Sequence, residues 1–176
     1  MTQILIAYGT RYGSTREVAG TVAATLGEQG IDADVKQARE VRSLDGYDAV
    51  VLGTPLYLGA LHKDVRALLE KNQAALEHTP FALFALGPIK ADDGIDASRE
   101  QLLTALAKLP VPTPASTAVF VGAYDPARLG LKDKMIAALP ASPLHGELAH
   151  DDRDWEAIRS WASVTVRELR LAPAMT

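Results

Sequence analysis

The sequence predicts an α/β fold, with a five-stranded parallel sheet covered by helices on both faces. Three observations lead there. Four short runs, at 4–8, 48–53, 81–86 and 117–123, are apolar almost throughout, as strands buried on both faces must be. Between them lie segments whose apolar residues recur three and four apart, the helical period. Strand and helix thus alternate along the chain, and that alternation builds parallel sheets through right-handed crossovers.

The elements follow in order. Residues 4–8 form the first buried strand. A helix is expected from 15 to about 29, with Val18, Ala19, Val22, Ala23 and Leu26 on one face. Ser14 and Glu17 have the spacing of a capping box, and Gly30 suits the C-terminal stop. Residues 31–35 alternate apolar with acidic, the pattern of a more exposed strand. After the strand at 48–53, a loop at 54–62 leads to a helix over 63–77 with the stripe Val65, Leu68, Leu69 and Leu76. After the strand at 81–86, Ser98 and Gln101 form a second capping box, opening a helix that buries Leu102, Leu103 and Leu106. Prolines at 110, 112 and 114 make an extended linker before the last strand. A final helix runs from about 152 to 171, acidic at its start and arginine-rich at its end, as the helix dipole favours. The connection at 124–150 is unusually long and is expected to carry a short helix near 132–139 and some function.

A chain of 176 residues fits one domain spanning 1–176, able to bury roughly 68–70% of its unfolded surface. Its 48% hydrophobic and 23% charged residues are ordinary globular composition. A net charge of -4 argues against a general nucleic-acid binder. The absence of cysteine excludes disulfides, thiol catalysis and iron–sulfur clusters. No run approaches the ~20 apolar residues that span a bilayer, and Met1-Thr2-Gln3 enters the first strand with no room for a signal peptide. The expected location is cytoplasmic, with no transmembrane segment and room for peripheral membrane contact. Oligomeric state is not legible.

In open α/β sheets ligands bind beyond the carboxyl ends of the strands. The distinctive loops here, at 9–14, 54–62, 87–95 and 124–130, all follow strand ends. In the first of them Thr10, Arg11, Tyr12, Gly13, Ser14 and Thr15 link a buried strand to a helix start. The first N–H groups of a helix lack internal partners and carry partial positive charge, so hydroxyls and a glycine there suit a phosphate. No lysine follows Gly13 as the nucleotide-triphosphate loop requires, and the G-x-G-x-x-G dinucleotide pattern is missing. A mononucleotide phosphate remains.

Several residues admit a plainer role. Ser14 caps a helix whether or not it meets a phosphate. Arg11 faces the anion or is a solvated loop charge, and Arg16 pairs on the helix surface. Tyr57 is a ligand-stacking ring or a rim residue, and Tyr124 lines the pocket or plugs the sheet end. His62 caps the following helix as readily as it relays protons. His145, His150, Asp151, Asp152 and Asp154 match no standard metal spacing, and helix-start preference explains the carboxylates, so no metal site is expected. Trp155 and Trp161 are packing residues of the last helix. No catalytic acid or base stands out.

The stretch ILIAYGTRYGSTREVAGTVAATL resembles the phosphate loop of flavodoxin-like proteins, whose usual form is T/S-x-T-G-x-T. Thr10, Gly13 and Thr15 match, and Tyr12 departs. The T-R-x-G-x-T-R-E form is nearer the branch containing the menaquinone-dependent protoporphyrinogen oxidases, as are VFVGAYDPARLGLKDKMIAAL and DRDWEAIRSW. The resemblance covers nearly the whole chain. It implies a flavodoxin-like three-layer sandwich with strand order 2-1-3-4-5 and tightly bound FMN. It implies that residues 10–15 hold the FMN phosphate. It places Thr54, Pro55, Leu56, Tyr57, Leu58 and Gly59 along one face of the ring, and Gly87, Pro88, Ile89 and Lys90 at the other. The aromatic that many flavodoxins present from that last loop is missing here, which leaves one ring face open to substrate. The function implied is an FMN-dependent oxidoreductase passing electrons between a reduced, porphyrinogen-like substrate and a quinone or similar acceptor. A flavodoxin-type electron carrier serving a redox protein partner is the alternative, disfavoured by Arg11, Lys63, Lys90 and Arg128 in the loops. A cofactor-free scaffold of the same fold is a third reading, weakened by the phosphate loop.

Overall fold

The computed structural model describes residues 2–88, 94–142 and 144–171. Five long strands form the main sheet: β1 (Gln3–Tyr8), β2 (Asp32–Gln37), β3 (Ala49–Tyr57), β5 (Phe81–Leu86) and β6 (Ser116–Phe120). They pair in parallel in the order β2-β1-β3-β5-β6, with β4 (Ala60–Leu61) antiparallel on β3. Counted over the long strands alone, this is the expected 2-1-3-4-5 order. Ile4, Leu5, Ile6 and Ala7 of β1 are fully buried, as a strand covered on both faces requires. β2, an edge strand, has no fully buried residue.

Two apolar cores flank the sheet. One packs α1 (Ser14–Glu28) and α6 (Trp155–Glu168) against Ile4, Ile6, Val51 and Phe84. The other packs α2 (Lys63–Lys71), α3 (Gln73–Leu76) and α4 (Ile95–Ala107) against Leu5, Leu52, Phe81 and Leu83. Each large side chain so buried contributes about 1.5–3 kcal/mol relative to exposure. Trp161 meets Phe84 and Phe120 edge-on at 5.8 and 6.0 Å and donates its indole N–H to Ser116 Oγ at 3.1 Å. That supports its packing role.

The structure corrects several local expectations. Neither capping box forms. Gly13 is the N-cap of α1 and Gly94 that of α4, both left-handed, and neither helix start receives a side-chain cap. Ser98 is a buried residue inside α4, and Leu103 is half-exposed instead of buried. The helix over 63–77 breaks at Asn72, whose side-chain N–H₂ turns back to the Leu68 carbonyl at 2.9 Å. The 54–62 segment is not a free loop. β3 runs on to Tyr57 and turns back through Leu58 and Gly59, both with positive φ, into β4. Gly30 does end α1: its φ is 74°, and the Ile31 N–H returns to the Leu26 carbonyl.

The 124–150 connection carries α5 (Leu131–Ala137), close to the expected 132–139 helix. Its ends are clipped by a second small sheet, β7 (Ala123–Tyr124) antiparallel to β8 (His150–Asp151). The last strand therefore stops at Phe120, short of the expected 123. α6 starts at Trp155, with Asp154 as N-cap accepting the Ala157 N–H at 2.9 Å.

Candidate functional site

Backbone hydrogen bonds tie the carboxyl end of β1 to β3 and that of β5 to β6. The Gly9 N–H bonds the Gly53 carbonyl, and the Gly87 N–H bonds the Phe120 carbonyl, each at 2.9 Å. Above this edge lies a cleft of about 880 Å³, walled by the 10–15 loop, the β3–β4 hairpin, Gly87 and the 124–150 connection.

Thr10 organises the first loop. Its Oγ1 accepts the Gly13 N–H at 2.8 Å, closing the loop on itself. Gly13 takes φ 95°, a conformation that L side chains rarely adopt, and hands the chain to α1. With no side-chain cap, the free first-turn N–H groups of α1 are the donors expected of an anion site. Tyr12 turns its hydroxyl inward, where it is buried with no hydrogen-bond partner. A buried polar atom without a partner usually has water or a ligand against it.

Of the sequence-predicted residues, Thr10, Arg11, Tyr12, Ser14, Thr15, Pro55, Leu56, Tyr57 and Gly87 line this one cleft. Tyr57 is half-exposed on the rim, and the Arg11 guanidinium lies 5.0 Å from its ring centroid. Arg11 lines the cleft with its side chain nearly half-exposed, and it also has a partner that the sequence did not reveal. Its Nη2 pairs with both Asp133 oxygens, at 2.8 and 2.9 Å, fastening the loop to α5. Thr54 is fully buried, its Oγ1 accepting the His62 N–H at 2.9 Å and so holding the hairpin. Leu58 projects from the hairpin tip into solvent, and Gly59 faces the Gln101 side chain. Neither these nor Gly13 or Pro88 lines the cleft. Ile89 and Lys90 lie outside the described residues.

Two features of the site had no local sequence signal. Arg153 reaches from the start of α6 to the start of α1. Its guanidinium is almost fully buried, 2.6 Å from Glu17 Oε2, 2.7 Å from Asp151 Oδ1 and 3.4 Å from the Ser14 carbonyl. The residues it joins are up to 139 apart in the chain, beyond any helical or strand period. Arg153 holds the Asp151 carboxyl below the usual carboxylate range. Glu17, expected to cap, is instead the partner of Arg153 and Arg128. The second is His150, its ring tilted by 43° against the buried Tyr124 at 6.0 Å, with no hydrogen bond at either ring nitrogen and Asp152 Oδ2 3.4 Å from Nδ1. Of the aspartates around it, Asp151 pairs with Arg153 and Asp154 caps α6, which leaves Asp152 beside the imidazole.

His62 proves to be the N-cap of α2, its Nδ1 accepting the Asp64 N–H at 3.3 Å. A Cβ on Gly9 would fall 2.5 Å from that nitrogen, so the glycine makes room for the imidazole. Burial holds the His62 pKa below the ordinary value, Asp64 opposing. The neutral form is the acceptor, so protonation removes the cap. The unfolded chain takes up its proton near about pH 6.5, which the folded site resists. The stability from this site is complete above that pH and is lost as pH falls toward the lowered folded value. The denaturant midpoint should therefore fall between pH 7 and 5. His62→Gln should remove part of that decline and cost about 1 kcal/mol at neutral pH. An unchanged pH profile would disprove the assignment.

Comparison with known proteins places this geometry. A flavodoxin domain family model matches residues 5–148. The chain belongs to the flavodoxin family. A curated relative, "Protoporphyrinogen IX dehydrogenase [quinone]" of Escherichia coli strain K12, is 33% identical over 84 residues. That alignment covers 47% of this chain and 46% of the relative, so the match spans about half the relative's length. Among solved structures, a short-chain flavodoxin associated with a bacterial microcompartment has a TM-score of 0.61 at 16% identity, covering 96% of this chain and 99% of that one. The Streptococcus pneumonia TIGR4 flavodoxin has a TM-score of 0.57 at 18% identity, covering 92% and 96%. Those two likenesses speak for the fold.

Membership in the flavodoxin family implies a flavin cofactor and a redox role. The residues present suit one: a closed hydroxyl loop at an uncapped helix start, an unpartnered Tyr12 hydroxyl and a rim tyrosine around a single cleft. Among the described residues no helix is long and apolar enough to cross a membrane.

Proposed function

We propose that this flavodoxin-family chain is an FMN-dependent oxidoreductase that takes electrons from a reduced, porphyrinogen-like substrate and delivers them to a quinone or similar acceptor. The observation that carries the reading is the cleft itself. It does not end at the phosphate loop but continues under the 124–150 connection, along apolar Leu129, Ile136 and Leu144. That is space for a second apolar molecule beside a flat ring. Its lining includes Lys63, an exposed cation that suits a substrate bearing carboxylates. The partial match to a protoporphyrinogen dehydrogenase supports the same substrate class.

In this reading the 10–15 loop holds the phosphate, Pro55, Leu56, Tyr57 and Gly87 flank the ring, and Tyr57 is the stacking residue. Bound flavin would supply the redox chemistry. The net change is balanced: the substrate loses two electrons and two protons, and a quinone gains them as a quinol. The protein's share is to orient both molecules and exclude water. The whole of 1–176 acts as one domain, with the connection as its substrate wall and a surface for peripheral membrane contact.

The purified protein should be yellow, release FMN on denaturation, and oxidise protoporphyrinogen with a soluble quinone as acceptor. Colourless protein with no affinity for added FMN would defeat the proposal outright. Bound FMN with no quinone-dependent turnover would select instead the electron carrier, docking a redox protein at the exposed Tyr57 rim.

A further inference from the structure

Three arginines stand at the cleft beside the phosphate loop, and they are held with unequal strength. Arg11 is fastened to Asp133 at 2.8 Å. Arg153 is buried between Glu17 and Asp151. Arg128 ends the short turn at Pro126–Arg128, where Asp125 caps the turn by accepting the Ala127 N–H at 2.9 Å. Among the described residues its guanidinium makes only long ion-pair contacts, 3.5 Å to Glu17 Oε1 and 3.4 Å to Asp125 Oδ2. It nonetheless lies directly over the loop. Its Nη1 is 3.7 Å from where a Cβ of Gly13 would stand.

The charge balance at that point is incomplete. A phosphate monoester brings about 1.5 to 2 negative charges at neutral pH. The loop offers hydroxyls, N–H groups and a helix dipole of roughly half a charge. Glu17, in the first turn of α1, adds a negative charge and takes up the charge of Arg153. A nearby guanidinium would add a full countercharge to these partial ones. Arg128 is the guanidinium whose existing contacts are long enough to exchange for a phosphate oxygen, and guanidinium groups match phosphate with paired hydrogen bonds.

We propose that Arg128 is a phosphate clamp: on cofactor binding it turns from Glu17 and Asp125 onto the FMN phosphate above Gly13. The 124–150 connection thereby becomes the cover of the phosphate subsite as well as the wall of the substrate space. Cofactor capture and placement of that wall are then one event. The proposal rests on the FMN reading above and adds a residue outside the phosphate loop.

The test is binding, read by quenching of flavin fluorescence on titrating FMN or riboflavin against apoprotein. Arg128 is half-exposed, so Arg128→Gln should fold as the parent does, checked by its melting temperature. FMN affinity should fall about tenfold or more and riboflavin affinity should stay within about twofold, so that the preference for the phosphorylated form shrinks. The salt dependence of FMN binding should weaken in parallel. Arg128→Lys should recover part of the loss. Equal losses for FMN and riboflavin, or no loss for either, would overturn the clamp while leaving FMN as the cofactor. A parent protein that binds neither flavin would overturn both proposals.

Discussion

Replacing Arg153 with methionine is expected to destabilise the fold by about 3 kcal/mol, a melting-temperature drop on the order of 6–12 °C for a chain of this size. The size follows from where the charge sits. The guanidinium side chain is 6% exposed and answers Glu17 on α1 and Asp151 on β8. Removing one partner of a buried pair leaves the other uncompensated, at a cost of about 3–5 kcal/mol. The low end applies because both carboxylates are nearly half-exposed and regain water once Arg153 is gone. The Arg153 stem also stacks its head on Trp155, 4.5 Å from the ring centroid, so truncation loosens the start of α6 as well. pH gives an independent check. Asp151 is held below the ordinary carboxylate value chiefly by its hydrogen bond from Arg153. The stability it contributes is complete above about pH 4 and is lost as pH falls through the lowered folded value. The gap between parent and variant should narrow in that acid range. A drop of less than about 2 °C at neutral pH would show that the network is ornamental.

The difference between what could and could not be read from the chain is one of range. Residues 4–8, 49–52 and 81–86 were legible as strands because a strand buried on both faces has no polar alternation to hide it. The helix stripes were legible for the matching reason, and Val65, Leu68, Leu69 and Leu76 are all buried as expected. Helix starts were not. Ser14 and Ser98 have capping-box spacing, but Gly13 and Gly94 take the left-handed turn, leaving both serines inside their helices. The hairpin at 54–62 was hidden because its turn uses Leu58 at φ 49° where a sequence signal would need Asn or Gly. The candidate site divides in the same way. The 10–15 loop is a contiguous segment whose chemistry can be read in place. The roles of Arg11, Arg153 and Glu17 depend on residues more than a hundred positions away, and no period in the sequence reports such a pairing.

The 10–15 loop, the proposed phosphate site, supplies the other large expected effect. Thr10→Val with Thr15→Val should weaken FMN binding by at least about tenfold, roughly 1.4 kcal/mol. The two threonines act differently. Thr10 works first within the protein: its hydroxyl pins the Gly13 N–H at 2.8 Å and so fixes the left-handed residue from which α1 departs. Valine keeps the shape and removes the acceptor, freeing a loop that must then be ordered by the ligand. Thr15 is buried at the first turn of α1 and lines the cleft, and in the proposed reading its hydroxyl contacts the phosphate. Loss of one hydrogen bond to a charged group costs about 1.5–3 kcal/mol, so tenfold is a conservative threshold for the pair. Riboflavin, which has no phosphate, should respond to Thr10→Val alone through the loosened loop and be nearly indifferent to Thr15→Val. If both flavins lost affinity equally on Thr15→Val, residue 15 would contact the ring or only support the fold, and the phosphate would have to be placed elsewhere in the cleft.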